Sequence, residues 1–110
     1  MVNYSPALDD VFLALANPVR RGILARLAQG WATVGELAEP FSISAPAITK
    51  HLRILERAGL ITRAKRGRQH YLHLVADPIQ DAAEWLSFYE RFWNQRFESL
   101  AEFLSEEDEA

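Results

Sequence analysis

Apolar residues recur with the period of a helix through most of this chain, and with the period of a strand over one short stretch. Leu8, Val11, Phe12 and Leu15 fall at i, i+3, i+4 and i+7, one face of a helix over residues 7–16. Residues before it read as an arm. Asn17-Pro18 then signals a second helix. Asn17 can accept from orphan amides as N-cap, and Pro18 sits at the first helical position, where its missing N–H costs nothing. This helix runs to about residue 28, buries Val19, Ile23, Leu24 and Leu27, and stops at Gly30. Thr33-Val34-Gly35-Glu36 has the form of a capping box and predicts a short helix over residues 34–39, closed by Pro40. The turn Phe41-Ser42-Ile43 leads to Ser44, the N-cap of a fourth helix over residues 45–58. Ile48, Leu52 and Leu55 line one face of that helix, and Pro46, Thr49, Lys50, Arg53 and Arg57 cluster on the other.

Gly59 is placed to end the fourth helix in the left-handed conformation that glycine adopts cheaply. Residues 60–64 and 69–74 read as two strands joined by Lys65-Arg66-Gly67-Arg68. Asp77-Pro78 opens the longest element, a helix over residues 79–104. Along it Trp85, Phe88, Tyr89, Phe92, Trp93, Phe97 and Leu100 repeat at three- and four-residue steps. The expected fold is mainly α with a small β-hairpin, a winged helix-turn-helix of order α-α-α-α-β-β-α, in one domain over residues 1–110. The acidic end of the chain reads as a frayed tail.

Charge changes the picture. The chain is net acidic, −3 at pH 7, which by itself argues against nucleic acid. The charges are segregated, however. From Ser44 to Val75 the cations Lys50, Arg53, Arg57, Arg63, Lys65, Arg66 and Arg68 face Glu56 alone, whereas beyond Val75 ten acidic residues outweigh Arg91 and Arg96. A phosphate feels the field within a Debye length, about 8 Å at physiological salt, so the local sign decides. A polar, cationic helix face beside a cationic hairpin is what gripping double-stranded DNA requires.

Composition narrows the rest. With 110 residues, 49% of them hydrophobic, the chain suits a globular domain with a modest core. No run reaches the roughly 18 apolar residues of a membrane span, and the start lacks the pattern of a signal peptide, so no membrane role and a cytoplasmic location are expected. The absence of cysteine excludes disulfides, thiol redox sensing and cysteine-containing metal sites. His70 and His73 have odd separation on one strand and so cannot share a metal, while His51 sits at the edge of the buried face of the fourth helix. No nucleophile–base pairing, phosphate loop or HExxH motif is present, and no enzyme activity or cofactor is expected.

Four segments together resemble the ArsR/SmtB family of bacterial winged-helix repressors: LANPVRRGILARLAQG from Leu15, TVGELAEPFSIS from Thr33, APAITKHLRILERAGLI from Ala45, and RGRQHYLHL from Arg66. The resemblance implies that the third and fourth helices form the helix-turn-helix and that the first and last form a symmetric dimer. Metal-sensing members carry cysteines in the helix that here holds Ala38 and Glu39, or His and carboxylate ligands along the last helix, which here has no histidine. The expectation is therefore a metal-free DNA-binding regulator, a repressor acting on a palindromic operator as a homodimer.

The residues expected at DNA are Ser44, Ala45, Pro46, Ala47, Thr49, Lys50, His51, Arg53 and Arg57 on the helix, and Lys65, Arg66 and Arg68 on the hairpin. Arginine can read guanine O6 and N7, and Thr49 can pack on a thymine methyl. Those expected at the dimer interface are Leu8, Val11, Phe12, Leu15, Trp85, Phe88, Tyr89, Phe92, Trp93, Phe97 and Leu100. Two other readings stand beside this one. The fold could serve as a protein-interaction module, or the aromatic stripe could hold a small apolar ligand that releases DNA.

Overall fold

Five helices and a three-stranded sheet are built from these patterns, seen in a computed structural model that describes residues 6–109. The expected arm lies, up to residue 5, outside the described residues. Helix α1 spans Pro6–Leu15 and α2 spans Pro18–Leu27. The Asn17 side-chain Oδ1 accepts from the amides of Val19 at 2.8 Å and Arg20 at 3.2 Å, as an N-cap should. Helix α3, Val34–Ala38, is one residue shorter than expected because Glu39–Phe41 tightens into a 3-10 turn that carries Pro40. The chain then reverses through Ser42, whose φ of 51° is left-handed. The ring of Phe41 comes so close to α2 that a Cβ at position 22 would lie 2.7 Å from its Cζ, which accounts for Gly22 inside a helix.

The capping box at α3 forms by half. The Thr33 hydroxyl oxygen accepts from the Glu36 amide at 3.2 Å. The Glu36 carboxylate, instead of reaching back to the backbone, accepts from the Thr33 hydroxyl at 3.1 Å and from Arg26 at 3.3 Å. Thr33 is at the same time the end of a short strand β1, Ala32–Thr33, that the periodicity does not announce. Two residues are too few to show an alternation, and only the partner strand defines them.

Helix α4, Ala45–Arg57, ends in a Schellman motif. The Gly59 amide donates to Glu56 O and the Leu60 amide to Leu55 O, both at 3.0 Å, with Gly59 at φ 73°. Strands β2, Ile61–Arg66, and β3, Gln69–Leu74, follow; β2 runs two residues further than expected, so the loop is the pair Gly67-Arg68 alone. Gly67 at φ 63° is the first central residue of this tight hairpin, where a positive φ keeps the strand twist. Sheet order is β1-β3-β2, all antiparallel.

The core lies where α1, α2, α3 and α4 meet the inner face of the sheet, with Ile23, Leu37, Ile48, Leu52, Leu55, Leu60 and Leu72 fully buried. Helix α5, Asp77–Glu109, continues through the acidic tail past the expected end at residue 104. Its 33 residues extend about 50 Å at 1.5 Å per residue, and the longest dimension of the molecule is 73 Å. Only its start packs on the core, through Ile79, Ala82 and Trp85, with the Trp85 ring edge-on to Phe12 at 5.5 Å. Beyond Trp85 the helix leaves the body, and Phe88, Tyr89, Phe92, Trp93, Phe97, Leu100, Phe103 and Leu104 are exposed.

Candidate nucleic-acid interface

The burial of Ile48, Leu52 and Leu55 turns the opposite face of α4 outward. On it Pro46, Lys50, Arg53 and Arg57 are exposed, with Thr49 half-buried between them. Ser44 caps the helix by accepting from the Ala47 amide at 3.2 Å, and Ala45 is exposed beside it. Small residues at this end let the helix approach a surface closely. Beyond the C-terminus of α4, the hairpin carries Lys65, Arg66 and Arg68 into solvent.

The cations are not equivalent. Arg63 is drawn back onto α4 by an ion pair with Glu56 at 2.6 Å. Arg57 lies 3.9 Å from Asp10 of α1, a loose exposed contact of the kind that contributes little. Among the described residues no carboxylate pairs with Lys50, Arg53, Lys65, Arg66 or Arg68. Four of these five have no aromatic partner either, and Arg66 lies 5.8 Å over the ring of Trp31. Exposed cations without anions suit a polyanion, and these are spread over a helix and the hairpin that follows it.

His51 belongs to this helix but faces inward. Its Nδ1 lies 3.2 Å from Nη1 of Arg20, and a guanidinium can only donate, so Nδ1 accepts and the ring is the neutral Nε2–H tautomer. Burial, then the nearby charges of Arg20 and Lys50, push its pKa below the ordinary value of 6.5. Arg20 itself is 8% exposed. It donates from Nε to Ala14 O at 2.9 Å and from Nη2 to Leu13 O at 2.8 Å, closing the last carbonyls of α1. Sequence reasoning passed over this arginine. Its signal was there, since position 20 stands at i−3, i−4 and i−7 from Ile23, Leu24 and Leu27, a cation on the apolar stripe of α2.

Register separates the two strand histidines, as their spacing implied. His70 pairs with Lys65 and His73 with Thr62, on opposite faces of the sheet. The Thr62 hydroxyl lies 2.7 Å from Nδ1 of His73, whose ring stacks on Trp31 at 4.4 Å. Among the described residues no three His, Asp or Glu side chains converge as a metal site would need, and no helix is long and apolar enough to cross a membrane.

The residues expected at a dimer interface divide. Leu8 and Val11 are buried in the chain's own core, and Phe12, Leu15 and Trp85 are packed against it. Phe88, Tyr89, Phe92, Trp93, Phe97 and Leu100 remain uncovered, joined by Leu86 on the same helix and Leu13 of α1.

Comparison with known proteins agrees with this geometry. A helix-turn-helix domain family matches residues 15–64, which hold α2, α3, α4 and the start of the wing. The chain is 39% identical to the transcriptional repressor SdpR of Bacillus subtilis over 79 residues, 72% of this chain and 88% of that protein. It is 35% identical to the HTH-type transcriptional regulator Rv2034 of Mycobacterium tuberculosis over 99 residues, 90% of each. A crystal structure of an ArsR family transcriptional regulator superimposes with a TM-score of 0.77 at 38% identity, covering 86% of this chain and 97% of the other. An ArsR-like transcriptional regulator from Rhodococcus sp. RHA1 gives a TM-score of 0.69 at 29% identity, over 86% and 89% of the two chains. The chain belongs to the ArsR/SmtB family of helix-turn-helix, DNA-binding transcriptional regulators.

Proposed function

We propose that the protein is a cytoplasmic, homodimeric repressor that binds a palindromic operator without metal or cofactor. The observation that carries this reading is the exposure of Lys50, Arg53, Lys65, Arg66 and Arg68 on α4 and its wing with no carboxylate paired to them among the described residues. In this reading α4 enters the major groove, with Arg53 and Thr49 toward base edges, Ser44, Ala45, Pro46 and Ala47 at the backbone, and Lys50 and Arg57 at phosphates. Arg66 and Arg68 lie along the adjacent backbone or minor groove, supported by Lys65. His51 acts from behind the helix, with its Nε2–H the one group it can offer a phosphate.

Pairing is supported by the uncovered stripe of α5, where Trp93 is 57% and Phe97 62% exposed. So large an apolar surface is rare on a soluble monomer. A second copy would cover it, and two-fold symmetry would then present two α4 helices to half-sites about 34–36 Å apart or a multiple. Occupation of such a site over a promoter blocks transcription by exclusion.

The test is selection of genomic fragments by the purified protein, followed by footprinting. A palindromic footprint overlapping a promoter is expected. Recovery of random fragments only would remove the operator reading and leave the fold as a module for other partners.

A further inference from the structure

The outer face of the sheet carries a second constellation that the DNA reading leaves unused. Register puts Thr62 and His73 on it as one pair, Arg66 and Gln69 as another, and Thr33, Tyr71 and Ala64 as a row between them. Trp31, just before β1, is 47% exposed and lies against this face, its indole stacked on the His73 ring with 5° between the planes. Trp31, Arg66 and Tyr71 line a depression of about 340 Å³. Its lining is thus two aromatic rings and a guanidinium. No carboxylate pairs with that guanidinium among the described residues, and its 5.8 Å distance from the indole is near the outer limit for a cation over a ring. The Tyr71 hydroxyl donates to Gln69 Oε1 at 3.1 Å, so its oxygen stays free to accept.

We propose that Trp31, Tyr71 and Arg66 form a binding site for a small planar aromatic carboxylate, and that its occupation takes Arg66 from DNA. Two flat apolar surfaces call for a flat apolar body. An unpaired guanidinium with its fork of donors calls for a carboxylate, which it holds bidentately. The volume accommodates one bicyclic ring system. A simple phosphate would leave the rings unused, and a neutral arene would leave the charge unused. Release follows from geometry, because one guanidinium cannot hold the ligand's carboxylate and a DNA phosphate together. This second half rests on the placing of Arg66 at DNA in the preceding proposal. The first half does not.

The experiment separates the two. Calorimetric titration of the DNA-free protein with 2-naphthoate is expected to saturate at one ligand per chain. The neutral 2-naphthylmethanol should bind at least about tenfold more weakly, having lost the charge-assisted pair. Trp31→Ala and, independently, Arg66→Gln should each abolish saturation; Arg66 is exposed, so its replacement does not threaten the fold. Saturation that survives both variants would place the ligand elsewhere, such as on the aromatic stripe of α5, and overturn the site. With a selected operator fragment, 2-naphthoate should weaken binding by wild type and leave Trp31→Ala unaffected. Ligand that binds while operator affinity stays constant would overturn the release. Failure of the protein to bind any DNA would sink the operator reading and leave the titration to decide the site.

Discussion

Nδ1 of His51 in α4 accepts a hydrogen bond from Arg20 at 3.2 Å, and the same guanidinium holds the Leu13 and Ala14 carbonyls in the last turn of α1. One buried cation thus ties α4 to the end of α1. The contact exists only while His51 is neutral, since a protonated ring has no lone pair to offer and would carry a charge beside Arg20.

The sign of a pH effect follows. The folded pKa of His51 lies below 6.5, so between the two values the unfolded chain binds more protons. Its contribution to stability is full above about pH 6.5 and is lost as pH falls through the lower, folded pKa. Urea denaturation at steps from pH 7.5 to pH 5 should show wild type losing stability faster than His51→Gln, whose amide oxygen can still accept from Arg20. Parallel curves for the two proteins would show that His51 titrates without consequence.

Arg20→Ala should cost about 2–4 kcal/mol, because two carbonyls at the end of α1 and the His51 ring lose a charged donor. Arg21→Ala, which removes a single exposed bond to Leu15 O, should stay within about 1 kcal/mol. Thermal and denaturant midpoints measure both. Equal losses would mean that burial of the guanidinium adds nothing.

DNA affinity should fall steeply with salt, each neutralised phosphate adding about −0.9 to the slope of log K on log salt. Replacing Arg66 and Arg68 together by Ala should weaken every duplex alike and flatten that slope. Arg53→Ala should also relax preference at particular base pairs, by about 1–3 kcal/mol if the contact is bidentate. Quantitative binding to a panel of operator variants decides, and a uniform loss for Arg53→Ala reassigns it to a phosphate.

Trp93→Asp or Phe97→Asp should yield monomers and abolish operator binding with α4 untouched. These rings stack on each other at 6.1 Å on the uncovered part of α5, away from the core, so a charge there perturbs association before folding. Sedimentation equilibrium at tens of micromolar provides the check. A wild-type protein that remains monomeric would falsify the paired architecture.

Helix positions were legible in the sequence because their causes are local. Asn17, Thr33, Ser44 and Gly59 act within a few residues of themselves, and the apolar period of α4 sets which side faces out. The cationic positions could therefore be read before any fold was known, and so could the opposite faces of His70 and His73. Contacts between distant segments could not. Ala32 and Thr33 become a strand only because Leu72 and Tyr71 lie opposite. Arg63 looked like one more cation until the turn at Gly59 brought it to Glu56. Arg20 and His51, thirty-one residues apart, meet only through packing of the helices, and Trp31 and Arg66, still farther apart, only through the pairing of β1 and β2 with β3. Periodicity reports whether a face is wet or buried; which side chain meets which across the core depends on how the elements are stacked.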